Sequence, residues 1–176
     1  MTGQQTENLL GALSLALFDR MQDAVGGAAG QADNGAVALS ALSHFLRGPS
    51  IDTLGKVLGL TSSGTVRLVD RLAEAGLVRR DVGADGRVTT VVLTAKGRRA
   101  AARVTAARQG VLGDALQVLG EKERQQLGSL VGRVLAGLAR PPGAVRWTCR
   151  LCDTRACGRE EGRCPLATAV GYKPSG

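Results

Sequence analysis

Between Ser50 and Gly97 the hydrophobic pattern switches from helical spacing to strand-like alternation, with a glycine at the join. Ser50-Ile51-Asp52 opens a short helix, DTLGKVLG, in which Leu54, Val57 and Leu58 can face inward. Gly59-Leu60-Thr61 reads as a three-residue turn. Thr61 or Ser62 then caps a second helix that runs to about Glu74. In that helix Val66, Val69 and Leu72 recur at three-residue steps, which predicts one buried side. Ser62, Ser63, Thr65, Arg67 and Arg71 are left toward the open side and the N-terminal end. Ala75-Gly76 closes the helix with a C-cap glycine. LVRRDV follows as a strand, GADG as a turn with Asp85-Gly86 at its tip, and RVTTVVL as a β-branched strand. Arg87 comes directly after the tip.

Two helices, a turn and a ribbon make the pattern of a winged helix-turn-helix, and double-stranded DNA is the expected partner. In such folds the N-terminal part of the second helix meets base edges. Small hydroxyl residues allow close approach to the groove, and arginine can make paired hydrogen bonds to guanine. Ser62, Ser63, Thr65, Arg67, Arg71 and Arg87 are therefore the candidate DNA-binding residues, with Arg87 placed for the minor groove or backbone. Taken alone, the second helix would be any amphipathic surface helix. The ribbon behind it is what favours the DNA reading.

Charge points the same way. Residues 1–60 carry three basic and five acidic side chains, net −2, whereas residues 61–110 carry ten basic and four acidic, net +6. A basic patch supplies the salt-dependent phosphate attraction that a DNA binder needs. Aromatics are only 2% of the chain, so the core must be built from Leu, Val and Ala, which favours packed helices over a β-sandwich. No segment is apolar for long enough to span a bilayer, and MTGQQTENLL has no basic region before an apolar run, so neither a membrane span nor a signal peptide is expected. The expected location is cytoplasmic.

The flanks read as helices. Thr6 to about Val25 places Leu10, Leu13, Leu17 and Met21 on one stripe, widened by Leu9 and Phe18, with Gly26-Gly27 as its end. A second helix starts near Asn34 as its N-cap and stops at Gly48-Pro49. It holds His44, the only histidine, read as an ordinary helix residue rather than a ligand. A basic, Ala-rich helix starts at Thr94. Gly120 separates it from another at Glu121 to Ala139, whose Leu127, Leu130, Val131, Val134, Leu135 and Leu138 form a wide apolar side. The outer helices carry more apolar surface than one small domain needs, which predicts a homodimer on a pseudo-palindromic site. The expected fold class is mainly α with a small β-wing, a winged helix-turn-helix plus a helical dimerisation layer. The expected units are 1–33 (dimerisation helix), 34–97 (DNA-binding domain), 98–140 (dimerisation helices) and 141–176 (a cysteine appendage).

The run LGLTSSGTVRLVDRLAEAGLVRRDVGADGRVTTVVLTAKGR resembles the MarR (multiple antibiotic resistance) family of bacterial transcription regulators. The resemblance rests on Leu68 to Leu72 followed by Gly76 to Arg80, on Asp85-Gly86-Arg87 in the wing, and on Leu93, Thr94, Lys96 and Gly97 at the join to the next helix. It covers about residues 6–140. It implies a triangular helical dimer with two winged-helix lobes, usually a repressor released by a small molecule, a metal or an oxidant. The wing here is short and lacks the family's usual proline, and the family pattern does not require the chain after Arg140.

That last segment contains Cys149, Cys152, Cys157 and Cys164, spaced C-x2-C-x4-C-x6-C and followed by Pro165. Four clustered cysteines in a cytosolic chain point to a metal centre, and a redox dithiol or inert thiols are the other readings. The first spacings resemble a zinc knuckle, and tetrahedral zinc would give so short a segment the energy to fold. The Cys-Pro-Leu ending also resembles the iron–sulfur loop of superoxide-sensing regulators of the MerR type, at a different spacing, so an iron–sulfur cluster is the alternative cofactor. Arg146, Arg150, Arg155, Arg159 and Arg163 would lower the thiol pKa values and offset thiolate charge. Asp153, Glu160 and Glu161 are read as solvated.

The leading expectation is a dimeric DNA-binding regulator with a structural or sensory cysteine module. The alternative is a metal- or redox-handling protein that uses its winged helix for protein contacts. An enzyme is not expected: there is one histidine, no Ser/His/Asp grouping and no phosphate loop of the G-x-x-x-x-G-K-[ST] type.

Overall fold

The computed structural model describes residues 2–30, 34–82, 89–139 and 147–172. The chain forms α1 (Gly3–Ala29), α2 (Asn34–His44), α3 (Ile51–Leu58), α4 (Ser62–Glu74), β1 (Val78–Val82), β2 (Thr89–Leu93), α5 (Ala95–Leu116), α6 (Glu121–Gly137) and α7 (Pro165–Ala169). The architecture is mainly helical with one two-stranded antiparallel sheet, as the patterning predicts.

Short side chains start three of these helices. Ser50 accepts from the Thr53 amide at 3.1 Å, Thr61 from Gly64 at 3.2 Å and Thr94 from Gly97 at 3.0 Å. Each satisfies an amide that the first turn leaves without a partner. The ribbon pairs Val78 with Leu93 and Val82 with Thr89, and Ser50 forms an antiparallel bridge to Thr90 that ties it to the start of α3. The candidate tip, Asp85-Gly86-Arg87, lies outside the described residues.

The core gathers Leu39, Leu54, Leu58, Leu68, Val69, Leu72, Val91 and Val104, all buried, from α2 to α5. Two departures from the sequence pattern follow from packing. Helix α1 runs on through Gly26-Gly27 to Ala29 because Val25 and Ala29 are buried and Arg103 Nε donates to the Ala28 carbonyl at 3.2 Å. That burial outweighs the roughly 1 kcal/mol that each interior helical glycine costs. In α4 the buried stripe is Thr65, Leu68, Val69 and Leu72, while Val66 is exposed. A strict three-residue step drifts off a 3.6-residue helix, so Thr65 takes the place assigned to Val66.

The N-terminal half of α1 and much of the apolar side of α6 stay open in the single chain. Leu9, Leu10, Leu13, Leu15 and Phe18 are exposed, and so are Leu130, Val131, Val134 and Leu138. No described helix is long and apolar enough to cross a membrane.

Candidate nucleic-acid interface and cysteine lobe

Helix α4 is held by its inner face. Thr65 is wholly buried; its hydroxyl donates to the Thr61 carbonyl at 2.9 Å and lies against Gly55 of α3. A methyl group on Gly55 would approach that oxygen to 2.6 Å, so the glycine is what lets the two helices meet. Thr65 therefore belongs to the helix-turn-helix joint, and its assignment to the open face is corrected. Ser62, Ser63, Arg67 and Arg71 are exposed as expected. No side-chain partner is found for Arg67 or Arg71 among the described residues. By contrast, Arg80 of β1 is tied to Asp70 of α4 at 2.6 Å, and Arg79 to Asp81 at 2.7 Å. The first pair fixes the ribbon beside α4 and leaves the N-terminal turn of α4 clear. Behind the ribbon, Lys96 Nζ donates to the Ala75 carbonyl at 2.8 Å, so part of the basic charge of this region is spent locally.

The cysteines form a separate lobe. Cys149 and Cys164 are buried with Leu166 and Ala167, and Ala139, Cys152, Cys157 and Val170 pack against them. All four thiols are free. Their protonation is linked in two pairs, Cys149 with Cys152 and Cys157 with Cys164. The interaction with Cys152 raises the Cys149 pKa, with burial adding to the effect, and lowers that of Cys152 to about 6. Burial and the interaction with Cys164 push Cys157 up to about 12. Among the described residues, no three His, Cys, Asp or Glu side chains are gathered as a ready ligand set.

The lobe is docked onto the rest of the chain by side chains to which the sequence assigned no such part. Trp147 lies over Gly59, the left-handed C-cap of α3 (φ 64°); a methyl group there would sit 2.7 Å from the indole. Leu151 packs on the main core. Thr154 donates to the His44 carbonyl at 3.1 Å, and Asp153 faces His44 Nδ1 at 3.7 Å while accepting from Gln109 of α5 at 3.3 Å. Asp153 is thus a docking residue rather than a solvated one. His44 Nε2 is 2.9 Å from the Thr105 hydroxyl, and burial holds the His44 pKa below its usual 6.5. Arg159 is only 4% exposed, with its guanidinium 5.5 Å over Phe45 and 5.8 Å over Tyr172. Pro165 of α7 rests on Gly132 of α6. Sequence spacing could not reveal these contacts, because they join residues as much as 110 positions apart.

Comparison with known proteins agrees with this geometry. The model of the MarR family matches residues 36–88, less than a third of the chain. No match was found among curated proteins. Several solved structures share the fold. RV1404 from Mycobacterium tuberculosis aligns with a TM-score of 0.66 at 23% identity, covering 76% of this chain and 92% of that one. The transcriptional regulator PA3341 aligns at 0.58 and 28% identity, over 76% and 97% of the two chains. A variant of MepR from S. aureus, bound to an oligodeoxyribonucleotide, aligns at 0.57 and 18% identity, also over 76% and 97%. The fold is that of the MarR winged helix, and the MarR family model matches the stretch that holds the helix-turn-helix.

Proposed function

We propose that the protein is a transcription regulator, most simply a repressor, that binds a pseudo-palindromic operator as a homodimer in the cytoplasm and catalyses no reaction. The observation that carries this reading is the exposed face of α4, where Ser62, Ser63 and Arg67 in its N-terminal half and Arg71 in its last turn face away from the core and the two arginines have no described side-chain partner. Helix-turn-helix proteins present this part of the second helix to the major groove. The similar MepR variant carries an oligodeoxyribonucleotide. The apolar residues left open on α1 and α6 supply the surface for a second copy. A cleft of about 260 Å³ between α2, β2 and the start of α5, lined in part by Leu46, Val91 and Arg98, is the proposed place for a small-molecule effector. The cysteine lobe is proposed to be a structural or sensory metal site, for zinc or alternatively an iron–sulfur cluster, within the same regulator.

The test is a mobility shift over a salt series, with duplexes selected from a random pool. Specific binding that weakens steeply with salt is expected, because each neutralised phosphate releases counterions. Arg67→Ala and Arg71→Ala should each weaken specific binding by roughly 1–3 kcal/mol if they contact bases. Equal affinity for selected and random duplexes would refute the reading.

A further inference from the structure

Arg159 carries a charge that the described fold does not balance. It is 4% exposed, yet its Nε and Nη2 have no hydrogen-bond partner. Its guanidinium lies 5.5 Å over the Phe45 ring and 5.8 Å over the Tyr172 ring, both uncharged, and it stands two residues from Cys157 in the same lobe. A buried guanidinium is costly unless an anion faces it. Four protonated thiols do not provide one, whereas four thiolates around a metal do.

The donor set fits such a group. All four cysteines are free; Cys149 and Cys164 are buried and Cys152 and Cys157 pack against them in one small cluster, so the donor chemistry suits a thiophilic metal although the four side chains are not drawn in as a closed ligand set. Apart from that cluster, this segment has little core of its own, and metal ligation is a general way for such segments to hold a fold.

The position of the lobe matters as much as its chemistry. It is wedged between two parts of the chain that a dimeric DNA binder must hold at a fixed angle. On one side Trp147 covers the α3 C-cap, Thr154 holds the end of α2, and Arg159 lies over Phe45. On the other side Asp153 accepts from Gln109 of α5, and Pro165 rests on α6. In a two-fold dimer the joint between these parts sets the separation of the two recognition helices, which must match half-sites roughly 34 Å apart.

Building on the regulator reading above, we infer that Cys149, Cys152, Cys157 and Cys164 bind one thiophilic metal centre. Arg159 is its buried counter-charge, and loading the centre locks the joint between α2–α3 and α5–α6 in the DNA-binding arrangement. Binding forms four metal–sulfur bonds; any thiol protons still present pass to solvent, and no electrons are transferred. Zinc fills the site alone. An iron–sulfur cluster requires inorganic sulfide and iron supplied in the ferrous–ferric proportion of the finished cluster, so that its assembly needs no further oxidant. Both place a net negative thiolate cage against Arg159.

The experiment uses the full chain purified without oxygen. Metal and acid-labile sulfide are counted per chain. One zinc in a colourless protein, or iron with matching sulfide and visible absorption, is expected, and the two results separate the sources. Substoichiometric metal after reconstitution with zinc, and separately with iron and sulfide, would overturn the centre. Arg159→Leu should release metal to a chelator faster, and Arg159→Lys should restore retention; equal retention in all three proteins removes the counter-charge role. Affinity is then measured for the duplex selected by the loaded protein. Stripping metal should weaken wild-type binding by about tenfold, within the usual span of allosteric coupling. Trp147→Ala should keep its metal, and its loaded affinity should approach that of the stripped protein. Equal wild-type affinity with and without stoichiometric metal would overturn the coupling. Failure to select any duplex would refute the regulator reading and the coupling together, while the metal count still decides the centre.

Discussion

Replacing Gly97 by alanine would place a methyl carbon 1.9 Å from the carbonyl oxygen of Leu77 and 3.1 Å from Leu93 Cδ2. An ordinary carbon–oxygen approach is about 3.3 Å, so the two backbones must separate by more than about 1 Å. That oxygen also accepts the Thr94 amide at 3.0 Å and the Thr94 hydroxyl at 3.2 Å, the bonds that seat the start of α5 on the ribbon. Overpacking costs roughly 1–3 kcal/mol. Loss of one hydrogen bond adds about 1 kcal/mol. The better helix propensity of alanine returns about 1 kcal/mol. The expected net loss is about 2 kcal/mol, or a fall in Tm of about 4–8 °C for a chain of this size. Calorimetry at fixed protein concentration measures it, since the stability of the proposed dimer would depend on concentration. Gly110→Ala in the same helix meets nothing within 4 Å and should be neutral or stabilising. A Gly97→Ala protein as stable as wild type would show that α5 does not approach the ribbon in this way.

Leu13→Asp combined with Val134→Asp charges both exposed apolar helices and should turn the proposed homodimer into a monomer in sedimentation; an unchanged sedimentation coefficient would remove these faces from the interface. Thr65→Val should cost about 1 kcal/mol of stability through its lost bond to the Thr61 carbonyl, yet leave duplex affinity within about twofold. A tenfold affinity loss in that variant would return Thr65 to the DNA face. Burial lowers the His44 pKa, despite an opposing pull from Asp153 and helped by Arg155 and Arg108, so the folded state prefers the neutral ring. The unfolded chain then takes up the proton first. The stability involved is fully present above pH 6.5 and is lost as pH falls toward the folded pKa. The difference in Tm between wild type and His44→Gln should shift between pH 7.5 and 5.5, and a constant difference would refute the linkage.

The sequence by itself determined the local elements, because local chemistry sets them. Ser50, Thr61 and Thr94 cap helices through bonds only three residues long. The β-branched run before Thr94 pairs antiparallel with Val78–Val82. Leu54, Val57 and Leu58 turned inward as their spacing required. Tertiary structure decided which face of a helix is closed when two apolar or small residues are neighbours. Thr65 and Val66 differ by one position, and the narrow gap at Gly55 admits the hydroxyl residue. Packing also carried α1 past its two glycines, since burial at Val25 and Ala29 is a non-local gain. The place of the cysteine lobe was likewise beyond sequence reasoning. Spacing announced four thiols that could act together. Only the fold brought Trp147 to the end of α3, Thr154 to His44 and the buried Arg159 over Phe45, because those meetings depend on how distant segments pack.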